Sequence, residues 1–177
     1  MESDEQSVGV ADKAAWAMAG TRSRSNCFRP LRRPPYHERP MAHDFPTAEM
    51  ELTHLLVVRD LDRARTFYRD VLGADVYREY GGTSAVLRFV GTWLLLVTGG
   101  GPTPDKPDVM FAPPVDPSIV SHEMTIRVPD CRAAYAILQS RGAEFLTPPV
   151  ESAWEVRCFF RDPDGHLLEL SQAKTPP

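Results

Sequence analysis

Two stretches of the chain repeat one another at an offset of roughly 70 residues. Val58-Arg59-Asp60 returns as Val128-Pro129-Asp130, and Gly73-Ala74-Asp75-Val76 returns as Gly142-Ala143-Glu144-Phe145. Gly91, Trp93 and Leu94-Leu95-Leu96 return as Gly165, Leu167 and Leu168-Glu169-Leu170. The offset is too long for a solenoid unit. It fits a duplicated supersecondary module, in which each copy buries one helix face and the pair encloses a hollow between curved sheets.

Each copy reads as β-α-β-β-β. In the first, Leu52 to Val58 is a strand and Asp60 caps the helix that follows. Leu61, Ala64, Phe67, Tyr68, Val71 and Leu72 recur at helical spacing, a core face, and Gly73 ends the helix. Strands are expected at Asp75–Glu79, Ser84–Phe89 and Trp93–Val97. In the second copy, Glu123–Val128 is a strand and Asp130 caps a helix that reaches Arg141 and stops at Gly142. Strands follow at Glu144–Leu146, Val156–Phe160 and Leu167–Ser171. Between the copies, residues 99–119 are rich in Gly and Pro. Loops of this length are usually functional, and this one is placed to cover a cavity mouth.

The last two strands flank Asp162-Pro163-Asp164-Gly165, a tight turn in which proline presets one backbone angle and glycine tolerates positive φ. The stretch is therefore a β-hairpin. Alternation puts Leu167, Glu169 and Ser171 on one face of the final strand and Leu168 and Leu170 on the other. Glu169 is thus an acid set among apolar residues, where ionisation is costly without a partner. Two readings stand: a ligand or catalytic group, or an edge-strand glutamate in water.

Composition narrows the classes. The 177 residues suffice for one sizeable domain or two modules sharing a core. A net charge of −4 gives no global signal for nucleic acid or an anionic membrane. No run approaches the roughly 20 apolar residues of a membrane helix, and no secretory signal is visible. Cys27, Cys131 and Cys158 are odd in number, widely spaced and outside any CxxC pattern, which argues for reduced thiols in a cytoplasmic protein.

Residues 1–48 differ from the rest. Six arginines between Arg22 and Arg39, with Pro30, Pro34, Pro35 and Pro40, leave too little apolar surface to offset ordering entropy. The expectation is a disordered basic tail, or a gene start placed too early with translation beginning at Met41 or Met50. The competing readings are a nucleic-acid arm or a transit peptide. Asp12 to Ala19 is a candidate short helix. His37 and His43 lie in this tail and carry no assigned role.

Taken together, His54-x3-Val58-Arg59-Asp60, Phe67-Tyr68-x2-Val71-Leu72-Gly73, Gly142-Ala143 with Pro148-Pro149, and Asp162-Pro163-Asp164-Gly165-His166-x2-Glu169 resemble the vicinal oxygen chelate superfamily. That superfamily includes glyoxalase I, extradiol dioxygenases and bleomycin-resistance proteins. The resemblance covers residues 50–172: module one at 50–98, the linker at 99–119 and module two at 120–172, with a short tail at 173–177. It implies an α+β fold, two paired βαβββ modules forming a cupped open sheet. It also implies a divalent metal (Fe, Mn, Zn or Ni) acting as a Lewis acid on a small oxygenated substrate, and a homodimer.

Carried over residue by residue, the resemblance places Glu169 on the family's carboxylate ligand position, where module one has Leu95. The first-strand ligand positions fall on Thr53 and Glu123, with His54 and His122 one residue away. A one-residue slip moves a side chain to the opposite face. In one model, bulges turn His54 and His122 inward to form a triad with Glu169, a set suited to Fe(II) or Mn(II). In a strict-register model the cavity shows Thr53, Glu123, Glu169 and Leu95, with Glu123 and Glu169 as acid and base. A third model is a metal-free cup that binds an organic molecule, as bleomycin-resistance proteins do. Function therefore stands between metal-dependent, glyoxalase- or dioxygenase-like chemistry and small-molecule binding, with a further reading in which the basic tail recruits nucleic acid to a sensor domain. His166 reads as a turn histidine and Cys158 as a structural thiol. Trp93 lines the pocket or joins the core. Trp154 and Phe160 are candidate walls of module two. Arg127, Arg157 and Arg161 are exposed edge arginines or anion binders.

Overall fold

The computed structural model describes residues 46–48 and 50–174. The short helix expected at Asp12–Ala19, the basic stretch, Cys27, His37 and His43 lie outside them.

Module one runs β1 (Thr53–Val58), α1 (Leu61–Thr66), β2 (Asp75–Tyr80), β3 (Ser84–Phe89) and β4 (Thr92–Thr98), with α1 continuing as a π-helical turn over Phe67–Val71. Asp60 caps α1 by accepting the Arg63 N–H at 2.9 Å, and Gly73 follows at φ +78°, the left-handed conformation that glycine adopts without penalty. Module two runs β5 (Glu123–Arg127), α2 (Cys131–Ser140), β6 (Glu144–Phe145), β7 (Val150–Glu151), β8 (Glu155–Arg161) and β9 (Leu167–Ala173). Asp130 caps α2 through the Ala133 N–H at 2.9 Å.

The two copies have the same topology. Sheet one has the order β1-β4-β3-β2 and sheet two the order β5-β9-β8-β6. In both, the first strand lies parallel to the last and the others run antiparallel. The one addition is β7. Pro148-Pro149 interrupts the strand equivalent to β2, because proline cannot donate to a ladder. The strand resumes as Val150–Glu151, pairing with Arg157 and Val156 of β8.

Alternation sorts the side chains. Leu56, Val58, Leu94, Leu96, Leu168 and Leu170 face the helices and join Leu61, Ala64, Phe67, Tyr68 and Leu138 in a core that spans both modules. Full burial of a leucine such as Leu94 or Leu96 contributes about 1.5–3 kcal/mol. Two expectations are corrected by this packing. Phe160 is fully buried in the core, so it is not a pocket wall; Phe159, its neighbour, faces the other way. Arg157 is not an edge residue, because β8 lies inside sheet two.

The linker is ordered rather than structureless. Gly100 and Phe111 exchange backbone hydrogen bonds at 2.9 Å, and the Lys106 ammonium sits 4.9 Å from the Phe111 ring centroid. After this small hairpin the chain crosses toward β5 as a strap over residues 112–122.

Candidate functional site

The hairpin turn between β8 and β9 fastens module two to module one. Asp162 Oδ1 accepts the N–H groups of Asp164 and His166, both at 2.9 Å, which shapes the turn. Its Oδ2 accepts the Tyr68 hydroxyl at 2.9 Å. Burial raises the Asp162 pKa, partly offset by His166 and the hydrogen bonds it accepts, while burial and Asp162 together push the Tyr68 phenol far up. Asp164 Oδ1 accepts the Arg59 N–H at 2.8 Å, and His166 Nε2 donates to the Val57 carbonyl at 2.8 Å. That contact fixes the His166 tautomer and gives this histidine the turn role read from the motif. Arg59, Arg63 and Tyr68 were not identified from the sequence as partners of this turn, since nothing local links them to residues a hundred positions away.

Beside the turn lies a groove of about 450 Å³, open on one side. Leu55 and Val57 of β1 form its floor, Leu167 and the Gly165–His166 turn one end, and the strap its wall, through Pro114, Val115, Ile119, Val120 and His122. The second half of the linker thus walls one side of the groove instead of covering its mouth. Gly165, at φ +95°, packs close to the strap: a Cβ there would stand 3.4 Å from Pro117.

The residues proposed from the sequence divide into two groups. His54 and His122 come together as stacked rings, centroids 4.6 Å apart. His54 pairs with Leu94 in an unbroken ladder and lies on the face of Leu56 and Val58. Its Nε2 is buried without a hydrogen-bond partner, and burial, then His122 and His166, lower its pKa. Glu169 is placed on the opposite side of the sheet layer. It is 5% exposed and on an interior strand, so it is not an edge glutamate in water. Its Oε2 accepts the Thr125 hydroxyl at 2.8 Å and its Oε1 is 3.9 Å from Arg157 Nη1. Glu123 shares that face one row away, opposite Leu167.

β1 and β5 thus follow strict register, with no bulge to turn His54 inward, and His122 precedes the β5 ladder. His54, His122 and Glu169 do not converge, and among the described residues no group of three His, Cys, Asp or Glu side chains is placed to hold a metal ion. The proposed triad does not fit a resident divalent cation.

The two open sheet faces differ in character. On sheet one Leu55, Val57, Leu95 and Val97 surround Trp93, whose ring meets Tyr77 edge-on at 5.1 Å and Arg88 at 4.4 Å. Trp93 therefore belongs to this face and not to the core. On sheet two, Glu169, Thr125, Arg157, Glu155, Ser171 and Arg127 form a polar network. Arg157 pairs with Glu155 at 3.0 Å, Ser171 donates to Glu155 at 2.8 Å and Arg127 donates to Ser171 at 2.7 Å. Trp154 stands 57% exposed just before β8.

A family model described as the Glyoxalase/Bleomycin resistance protein/Dioxygenase superfamily matches residues 51–170. The chain belongs to this superfamily. Among curated proteins no relative matches. Solved structures of the superfamily fold align with it at low identity. TioX from Micromonospora sp. ML1 is 21% identical, with 71% of this chain and 99% of that chain covered and a TM-score of 0.56. TnmS3, an antibiotic binding protein from Streptomyces sp. CB03234, is 24% identical, covering 75% and 100% at a TM-score of 0.53. Lactoylglutathione lyase from Agrobacterium tumefaciens is 17% identical, covering 72% and 95% at a TM-score of 0.55. A binding protein and a lyase thus share this fold, and the fold alone does not choose between them. Among the described residues, no helix is long and apolar enough to cross a membrane.

Proposed function

We propose that this superfamily member binds a small, largely apolar, ring-containing molecule in the groove between β1, the strap and the Gly165–His166 turn. The observation that carries the reading is the groove's lining. Leu55, Val57, Val115, Ile119 and Val120 supply apolar surface, and His122 and Asp116 supply a few polar groups. Ser121 and His166 add further polar groups, and pockets that hold organic ligands combine apolar walls with such orienting polar groups. The position equivalent to Glu169 in module one is Leu95, which cannot ligate a metal, and His54 lies on the other face of β1. Among the described residues no cluster of donors favours the metal-dependent reading over ligand binding.

The antibiotic-binding function of TnmS3 makes antibiotics the ligand class to test first. The same reading takes the protein as a homodimer, in which a second copy covers the open face around Trp93, beside the groove. Light scattering of the purified protein tests that part separately. Ligand binding is tested by calorimetric titration of the full chain with bleomycin and a panel of apolar, ring-containing antibiotics. At least one is expected to bind with one-to-one stoichiometry per chain. Failure of the whole panel to bind overturns the antibiotic assignment.

A further inference from the structure

We infer that Cys131 and Cys158 form a disulfide when the protein meets a peroxide, a covalent link within module two between the head of α2 and the middle of β8. Their sulfurs lie 3.8 Å apart, in van der Waals contact, and both residues are buried. Sequence spacing conceals the pair, since 27 residues separate the two. Topology brings them together: Cys158 points from β8 into the core between Val156 and Phe160, and Cys131 opens the helix that packs on that strand. The backbone N–H of Cys131 is held by Gln172 Oε1 at 2.9 Å, so the head of α2 is fixed over β9. Closing the sulfurs to a bond of about 2.05 Å then requires side-chain rotation and a small approach of helix to strand.

The chemistry balances with hydrogen peroxide as the oxidant. The thiolate of one cysteine attacks the peroxide O–O bond, giving a sulfenic acid and one water. The second thiol then attacks that sulfur, the S–S bond forms and a second water leaves. Cys131 takes the first step. It heads a ten-residue helix, whose positive end favours a thiolate. Burial raises both thiols, Cys158 to about 12, so the reaction is slow, and a protonated Cys158 waits in contact with the sulfenic acid. The closed loop restricts the unfolded chain more than the folded one. The link also lies directly behind Arg157 and Phe159, which β8 presents to the open face.

Full-length protein carrying Cys27→Ser, so that only this pair remains, is treated with hydrogen peroxide and alkylated under denaturing conditions. Its peptides are then mapped by mass spectrometry. The expected product is a peptide pair joined through Cys131 and Cys158, lost on reduction with dithiothreitol. Recovery of both cysteines as alkylated free thiols, or as separate sulfinic acids with no joined peptide, overturns the inference. Because the pair itself is unsubstituted, the test does not depend on a core variant folding.

Discussion

The Tyr68 hydroxyl donates to Asp162 Oδ2 at 2.9 Å, across 94 residues of chain. Both groups are buried, and the bond joins the π-helical end of α1 in module one to the hairpin turn of module two. With Asp164 on the Arg59 N–H and His166 on the Val57 carbonyl, it holds the turn against the end of β1. The groove lies at this junction, so the clamp sets the relation between its floor and its end.

Tyr68→Phe removes the donor and leaves a buried carboxylate oxygen unpaired. A loss of about 1–3 kcal/mol is expected, read as a lower denaturation midpoint in urea. An unchanged midpoint would mean that the clamp contributes nothing to folding.

Asp164 and its arginine partners separate two kinds of interaction. Asp164→Ala leaves the Arg59 N–H without its acceptor in a part-buried site, at a cost of about 1–3 kcal/mol. Arg63→Ala removes an exposed hydrogen bond of 3.0 Å to the Pro163 carbonyl and a long contact of 3.5 Å to Asp164, both made by a side chain 52% exposed. Its effect is expected to be much smaller, because exposed pairs are screened. Parallel urea titrations distinguish the two, and equal losses would contradict the assignment.

His54 predicts a pH dependence. Its pKa is lowered below the ordinary 6.5 by burial first and then by His122 and His166. Between the lowered value and 6.5 the unfolded chain binds more protons than the folded one, so stability rises with pH there. The contribution is complete above 6.5, declines as pH falls through that value and levels off below the folded pKa. His54→Gln should flatten this segment in unfolding measured from pH 7.5 to 5. A slope unchanged by the substitution assigns it to another group.

Metal content provides a separate check. Because His54 and Glu169 lie on opposite faces, His54→Ala and Glu169→Ala are expected to leave the metal-to-protein ratio of the purified protein unchanged. Loss of the same metal in both variants would restore the triad.

The sequence disclosed the fold through local chemistry. Asp60 and Asp130 mark the helix starts, Gly73 and Gly142 the ends, and alternation at Leu168, Glu169 and Leu170 separates core from open face. The repeat disclosed the shared topology. The division of β6 from β7 was not read, although Pro148-Pro149 carried the signal. Register decided the site: one residue separates Thr53 from His54 and Glu123 from His122, and only the ladders show which of each pair shares the face of Glu169. The partners of the hairpin turn, the Cys131–Cys158 contact and the strap beside Leu55 are products of tertiary packing. No local pattern encodes them.

The most direct test of the proposed groove is ligand affinity in Ile119→Asp and Leu55→Asp variants. Both residues border it and are at least partly exposed, Ile119 at 76% and Leu55 at 37%, so the fold should survive. Titration of an antibiotic that binds the unsubstituted protein should show at least about tenfold weaker binding to each variant, roughly 1.4 kcal/mol, while Glu79→Gln on the outer strand leaves affinity unchanged. Undiminished affinity in both groove variants would contradict the account.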